Sequence, residues 1–198
     1  MKRYALTGNM GCGKTTVLGY LAKYPDVLTI DCDKLAKGIL CSGQYRNALI
    51  EILGPQSFEG DKPNTKLIAR LVFENAKTKQ RLESFVHPLV WRLVDELISK
   101  SPNAEICVVE SAVVFETSCE DLFDAVIVVT CDPQDQARRL TEKRGLTLAD
   151  VDGRLSHQMS SAEKVNRSNF RIDTSCNLEE LERRVEKLYE RLKERKKT

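Results

Sequence analysis

The segment Gly8-Asn9-Met10-Gly11-Cys12-Gly13-Lys14-Thr15 constrains this chain more than any other. It fits the pattern G-x-x-x-x-G-K-[ST] and stands between a short apolar run at 3–7 and a helical pattern at 14–24. Glycines at 8, 11 and 13 let backbone N–H groups turn inward around an anion without Cβ clashes. Lys14 offers a compact charge to the β- and γ-phosphates, and the Thr15 hydroxyl can ligate Mg²⁺. The helix that follows points its positive end at the same anion. Strand, loop and helix in that order open a parallel α/β sheet and imply binding of a nucleoside triphosphate.

The rest of the chain keeps the alternation. Val27–Asp31 is rich in β-branched residues, and Ile106–Glu110 and Ala125–Val129 are short apolar runs of the kind that buried parallel strands show. A weaker fifth strand falls at Phe170–Asp173. Helical patterns fall at 33–40 and 44–53, followed by a turn-rich stretch at 54–64. Leu67, Ile68, Leu71 and Val72 mark another helix. Leu89, Val90, Leu93, Val94 and Leu97 mark one more, entered at Pro88 in its first turn. The last helix carries the stripe Leu178, Leu181, Val185, Leu188, Leu192, with Asn177 and Glu180 in a capping-box arrangement. A basic tail from Arg191 to Lys197 reads as a solvated helix end. The fold class is therefore α/β, with a five-stranded parallel sheet flanked by helices in a single domain over 1–198.

Composition excludes several classes. With 31 Lys+Arg against 29 Asp+Glu there is no global basic field to hold a nucleic acid. The apolar runs fall far short of the roughly 20 residues a membrane span needs, and the phosphate loop begins too early to leave room for a signal peptide. Seven cysteines, spread without a Cys-x-x-Cys and joined by only His87 and His157 as ligand types, fit neither a zinc site nor a disulfide framework. They read as reduced, mostly buried thiols of a cytoplasmic protein. The guanine-reading Asn-Lys-x-Asp of switch GTPases is absent, and the one Asp-x-x-Gly, at 150–153, lies in a helical stretch.

Small-molecule kinases of this size place acids at strand ends and arginines in a lid. Asp31-Cys32-Asp33 closes the second strand, at the edge where such sheets bind ligands. Asp33 is either a base for an attacking hydroxyl or the cap of the next helix. Glu110, ending the third strand, is either a partner of Mg²⁺ or an ordinary strand-end acid. Cys12, just ahead of a helix start and beside Lys14, is expected to be thiolate-prone, the alternative being an inert thiol turned into the protein. Lys14 is expected on a surface loop.

Taken with the phosphate loop, Asp31-Cys32-Asp33, Leu71-Val72-Phe73, His87-Pro88-Leu89-Val90, Phe115-Glu116, Gln136 to Arg139-Leu140, Arg144, and Gln158-Met159 with Lys164 resemble the dephospho-CoA kinase family, with agreeing spacing from Lys2 to about Leu192. The resemblance implies ATP-dependent phosphorylation of the 3′-hydroxyl of dephospho-coenzyme A, with ATP and Mg²⁺ as cofactors. It implies a core at about 1–33, 101–137 and 166–198, a helical acceptor-binding part at about 34–100, and a lid at about 138–165. By the same resemblance Asp33 is the general base, Lys14 and Thr15 take the phosphate and magnesium positions, and Thr16 joins the nucleotide site. Arg139 and Arg144 face the triphosphate, or are solvated helix charge. Arg154 and Gln158, one turn apart on a helix, complete the lid. His87 belongs to the acceptor site, or is a capping or packing imidazole.

The chain departs from the family pattern at several places. Asn64-Thr65 stands for the usual Asp-Arg, Ala112 for a Pro, Val113-Val114 for leucines, Ser168-Asn169 for Ala-Asp, and Thr174 for a common Asn. Cys12 replaces a Ser or Ala, and Thr15-Thr16 a Ser-Thr. Two alternatives stay open: a kinase of another small hydroxyl acceptor, such as a nucleoside or sugar acid, and a regulatory module that holds nucleotide without transfer. Oligomeric state stays open too.

Overall fold

The structure, a computed structural model, describes residues 1–156 and 158–195, and only the backbone at 143, 144, 148, 149, 152 and 154. His157, and Lys196 and Lys197 of the basic tail, lie outside the described residues. The chain divides into two compact units, Met1–Asp31 with Ser101–Thr198, and Cys32–Lys100.

The first unit holds a five-stranded sheet. Its strands are β1 (Lys2–Thr7), β2 (Val27–Asp31), β5 (Ile106–Glu110), β6 (Ala125–Thr130) and β7 (Phe170–Asp173), in the order β2-β5-β1-β6-β7. Every pairing is parallel. β5 and β6 are buried at every position, which is why they read as continuous apolar runs. β1 alternates. Tyr4 and Leu6 join Val17, Leu21, Ile127, Leu181, Val185, Leu188 and Leu192 on one side, where α1 (Lys14–Leu21) and α9 (Leu178–Glu194) pack. Ala5 joins Val114, Phe115 and Val126 in a separate cluster. That period of two is the pleat of a strand covered on both faces.

α9 buries Leu181, Val185, Leu188 and Leu192, but Leu178 is 66% exposed and drops out of the expected stripe. Asn177 does cap the helix, accepting from the Glu180 N–H at 2.8 Å. The capping box is not completed, because the Glu180 carboxylate turns to Arg184 instead. Three further helices belong to this unit: α6 (Pro133–Arg144), α7 (Leu148–Leu155) and α8 (Ser161–Arg167). Asp132 caps α6 ahead of Pro133, and a full capping box, Ser160 with Glu163, opens α8. At Asn169, a departure from the family pattern, side chain and backbone both pair with Val126 of β6.

The second unit is helical: α2 (Cys32–Cys41), α3 (Arg46–Leu53), α4 (Thr65–Glu74) and α5 (Ala76–Ser99), with a two-stranded ribbon of β3 (Phe58–Glu59) and β4 (Lys62–Pro63) in the stretch read as turns. Asn64 caps α4 by accepting from the Leu67 N–H at 3.1 Å, and its amide also donates to Glu59. It thus performs the cap that an Asp would. The expectation that a helix starts at Pro88 is overturned: α5 begins at Ala76, capped by Asn75, and runs through Pro88. Its buried stripe is Leu82, Val86, Val90, Val94, a spacing of four that continues across the proline, while Leu97 is exposed. That stripe outweighs the one backbone bond that proline cannot make. No helix among the described residues is long and apolar enough to cross a membrane.

Candidate active site

The glycine loop leaves β1 at the centre of the sheet, at the carboxyl ends of the strands, where such sheets take ligands. Gly8 has φ 143°, and a Cβ there would stand 2.3 Å from the Val129 carbonyl oxygen. Gly13, at φ 90°, is the N-cap of α1 and offers no side chain to it. Gly11 shares the left-handed backbone at φ 84°. Among the described residues the N–H groups of Gly11, Gly13, Lys14 and Thr15 donate to nothing, and α1 has no acid in its first turn. Its positive end is uncompensated and suits a phosphate.

The loop carbonyls are held by side chains instead. Lys14 Nζ donates to the Gly8 carbonyl at 2.9 Å and the Asn9 carbonyl at 3.3 Å. Gln136 Nε2 donates to the Met10 carbonyl at 2.6 Å, and the Thr174 hydroxyl to the Cys12 carbonyl at 2.9 Å. The Met10 N–H donates to Gln158 Oε1 at 3.0 Å. In a trans peptide the C=O and the next N–H point in opposite directions. Pinning the Met10 and Cys12 oxygens outward therefore aims the Gly11 and Gly13 N–H groups inward.

Two expectations about this loop fail. Lys14 is not on an open surface but only 8% exposed, and it braces the carbonyls it spans. Cys12 is 2% exposed, its thiol donates to the Asn9 carbonyl at 2.7 Å, and burial pushes its pKa up against the opposing pull of Lys14 and Lys164. It is the inert thiol turned inward. Nor are the cysteines mostly buried: Cys12, Cys32 and Cys107 are, Cys41 is exposed, and the others are intermediate, although all seven are free.

Arg139, on α6, grips one residue: its two terminal nitrogens donate at 2.8 Å each to the hydroxyl and the carbonyl of Thr174. Arg144 and Arg154 have side chains outside the described residues. Gln158 is not on a helix with Arg154, since α7 ends at Leu155 and Gln158 lies in the connection to α8. Its backbone N–H turns back to the Leu155 carbonyl, and from there its amide oxygen reaches the Met10 N–H. Lys164, quoted in the sequence only as part of a motif, is fully buried. Its Nζ donates to the Ala112 carbonyl at 2.6 Å and pairs with Glu116 at 2.9 Å, and burial lowers its pKa. Glu116 also accepts from the Met159 N–H at 2.8 Å, next to Gln158. Gln136 and Lys164 thus had a signal in the sequence but no assigned task, Gln158 was read as a lid residue on a helix, and the bracing role of Thr174 had no signal.

Of the strand-end acids, Asp31 and Glu110 are register partners on neighbouring strands, and Glu110 is buried. Glu110 and the exposed hydroxyl of Thr15 are hard oxygen donors of the kind Mg²⁺ takes alongside phosphates and water. Thr16 is exposed too, in the first turn of α1. No cluster of three or more His, Cys, Asp or Glu fit for a metal occurs among the described residues. Asp33 does not cap α2: the helix starts at Cys32, so Asp33 sits exposed inside the first turn. His87 is half-buried in the middle of α5, which removes the capping reading.

Comparison with known proteins adds a family. The model described as dephospho-CoA kinase matches residues 4–180. A dephospho-CoA kinase of Synechocystis sp. is 31% identical over 186 residues, 93% of this chain and 92% of that protein. The crystal structure of TT1252 from Thermus thermophilus is similar at a TM-score of 0.85 and 28% identity, covering 96% of this chain and 97% of the other. The solved structure of dephospho-CoA kinase from Campylobacter jejuni is similar in fold, at a TM-score of 0.64 and 23% identity over 96% of this chain and 97% of the other.

Proposed function

This chain belongs to the dephospho-CoA kinase family and is a P-loop kinase of coenzyme A biosynthesis, and from that premise we propose that Lys14, Asp33 and Arg139 carry the transfer from ATP to the 3′-hydroxyl of dephospho-CoA. The observation that carries the reading is the loop itself, with carbonyls tied outward and N–H groups left for phosphate. Gly8, Gly11, Cys12, Gly13, Thr15 and Thr16 form the cradle with Lys14. Lys14 exchanges carbonyl oxygens for the β- and γ-phosphate oxygens, a short movement for a long side chain. Arg139, with Arg144, supplies charge to the transferring group, whose negative charge spreads over its outer oxygens.

Asp33, an exposed carboxylate, takes the proton of the attacking hydroxyl. His87 contacts the acceptor. Residues 34–100 form the acceptor-binding part and 138–165 the lid. Thr15 and Glu110 hold Mg²⁺, which when bound neutralises phosphate charge. The setting is the cytoplasm, where free thiols persist.

The test is incubation with Mg·ATP and a panel of hydroxyl acceptors, reading ADP. Turnover with dephospho-CoA and none with nucleosides or sugar acids is the expected result. ADP release with another acceptor alone, or with none, overturns it.

A further inference from the structure

Thr174 follows β7 and is 2% exposed. Its backbone N–H donates to the carbonyl of Thr130, the last residue of β6, at 2.9 Å. Its carbonyl and its hydroxyl oxygen each accept from Arg139, and its one hydroxyl proton goes to the Cys12 carbonyl. A hydroxyl has a single proton to give and lone pairs to spare, so this one group serves a loop carbonyl and a guanidinium at once. A Cβ on Gly13 would stand 3.2 Å from the same oxygen, so Thr174 abuts the loop where the cradle turns into α1.

We propose that Thr174 is a positioning residue for nucleotide binding, whose hydroxyl fixes both the direction of the Gly13 N–H and the location of the Arg139 guanidinium. The Cys12–Gly13 peptide is planar and trans, so the bond to its oxygen sets where its N–H points. Without the hydroxyl the Cys12 oxygen loses its donor, and Arg139 keeps only its bond to the Thr174 carbonyl. Both phosphate-facing groups then loosen together. Thr174 itself touches no phosphate; it acts through Gly13 and Arg139. The inference rests on the reading that this loop and Arg139 take the triphosphate.

The experiment is calorimetric titration of Thr174→Val, Thr174→Ser and the parent chain with Mg·ADP, beside KM values for ATP and for dephospho-CoA. Valine keeps the shape and removes the hydroxyl. Losing one partner of buried hydrogen bonds should weaken ADP binding by about tenfold. KM for ATP should rise with it, while KM for dephospho-CoA stays put. Serine, which keeps the hydroxyl, should stay within about threefold of the parent, well under the tenfold that 1.4 kcal/mol represents. Arg139→Met combined with Thr174→Val should lose less than the product of the two separate losses, because the two side chains share one bond.

Unchanged ADP binding in Thr174→Val overturns the proposal. So does an equal loss in the serine and valine variants, which would make the side chain a packing element. If valine prevents folding, Thr174→Ala, which demands no room, reads the same loss. Titration with ADP needs no acceptor, so failure of dephospho-CoA as a substrate would sink the kinase reading and leave this result standing on its own.

Discussion

The sheet unit and the helical unit of this chain present their candidate groups by opposite means. In the sheet unit the candidate phosphate site is backbone, and side chains from distant parts of the chain, Gln136, Gln158 and Thr174, hold it in shape. In the helical unit the candidate groups are side chains on helices, an exposed Asp33 and a half-buried His87. The helices that carry them bury a single stripe each, Cys32 and Ile39 on α2 and Leu82, Val86, Val90 and Val94 on α5. A triphosphate has one geometry and rewards a mould fixed beforehand. An acceptor hydroxyl must be addressed by a titratable group, and such a group has to stay accessible.

The contrast can be broken where it is strongest. Lys14→Ala should lower kcat about a thousandfold, the upper end for losing one electrostatic donor. Because Lys14 also braces two carbonyls, the same variant should melt earlier, by a destabilisation of about 1–2 kcal/mol. A kcat above about a tenth of the parent, a loss of only 1.4 kcal/mol of barrier, would remove Lys14 from the mechanism. On the helical side, Asp33→Asn should lower kcat by about a hundredfold or more, with ADP binding and melting temperature unchanged; kcat within a factor of two of the parent would rule out the base.

Lys164→Met tests whether the sheet unit is braced by charge. Leaving Glu116 and the Ala112 carbonyl without their donor should cost about 2 kcal/mol in denaturant unfolding. Stability equal to the parent would mean that the pair is dispensable. Pro88→Ala probes the other unit by restoring a backbone donor inside α5. It should stabilise by about 1 kcal/mol, part of the roughly 3 kcal/mol an interior proline costs, and a loss of stability would show that Pro88 is required by its surroundings. The smallest effect belongs to Cys12. Under mild alkylation the exposed Cys41 should be modified and Cys12 left intact by mass spectrometry, since burial opposes its thiolate.

What could be read in the sequence follows from the range of the forces involved. The glycine loop, the fully buried strands and, apart from Leu178, the stripe of α9 are local patterns, and each is where its spacing implies. The ribbon at 58–63 escaped because two-residue strands around Gly60 leave no period to detect. Pro88 misled because its local cost is overridden by a buried stripe that continues on either side of it. Cys12 and Lys14 misled for a shared reason: burial in a parallel sheet comes from neighbours far along the chain, which a loop motif does not display. Thr174 was visible only as a departure from a pattern, since its partners lie at 12 and 139.

The order of the strands also has a consequence in time. β1 has two neighbours, β5 and β6, and both are encoded after the entire helical unit. During synthesis from the N-terminus, the glycine loop therefore emerges long before any strand can pair with the one that carries it. Its last brace, Thr174, comes later still. Closing such long-range pairings is the slow part of folding. Nucleotide thus meets the fully braced loop only after the chain has been made through Thr174, so its binding favours the folded sheet unit over the early nascent chain.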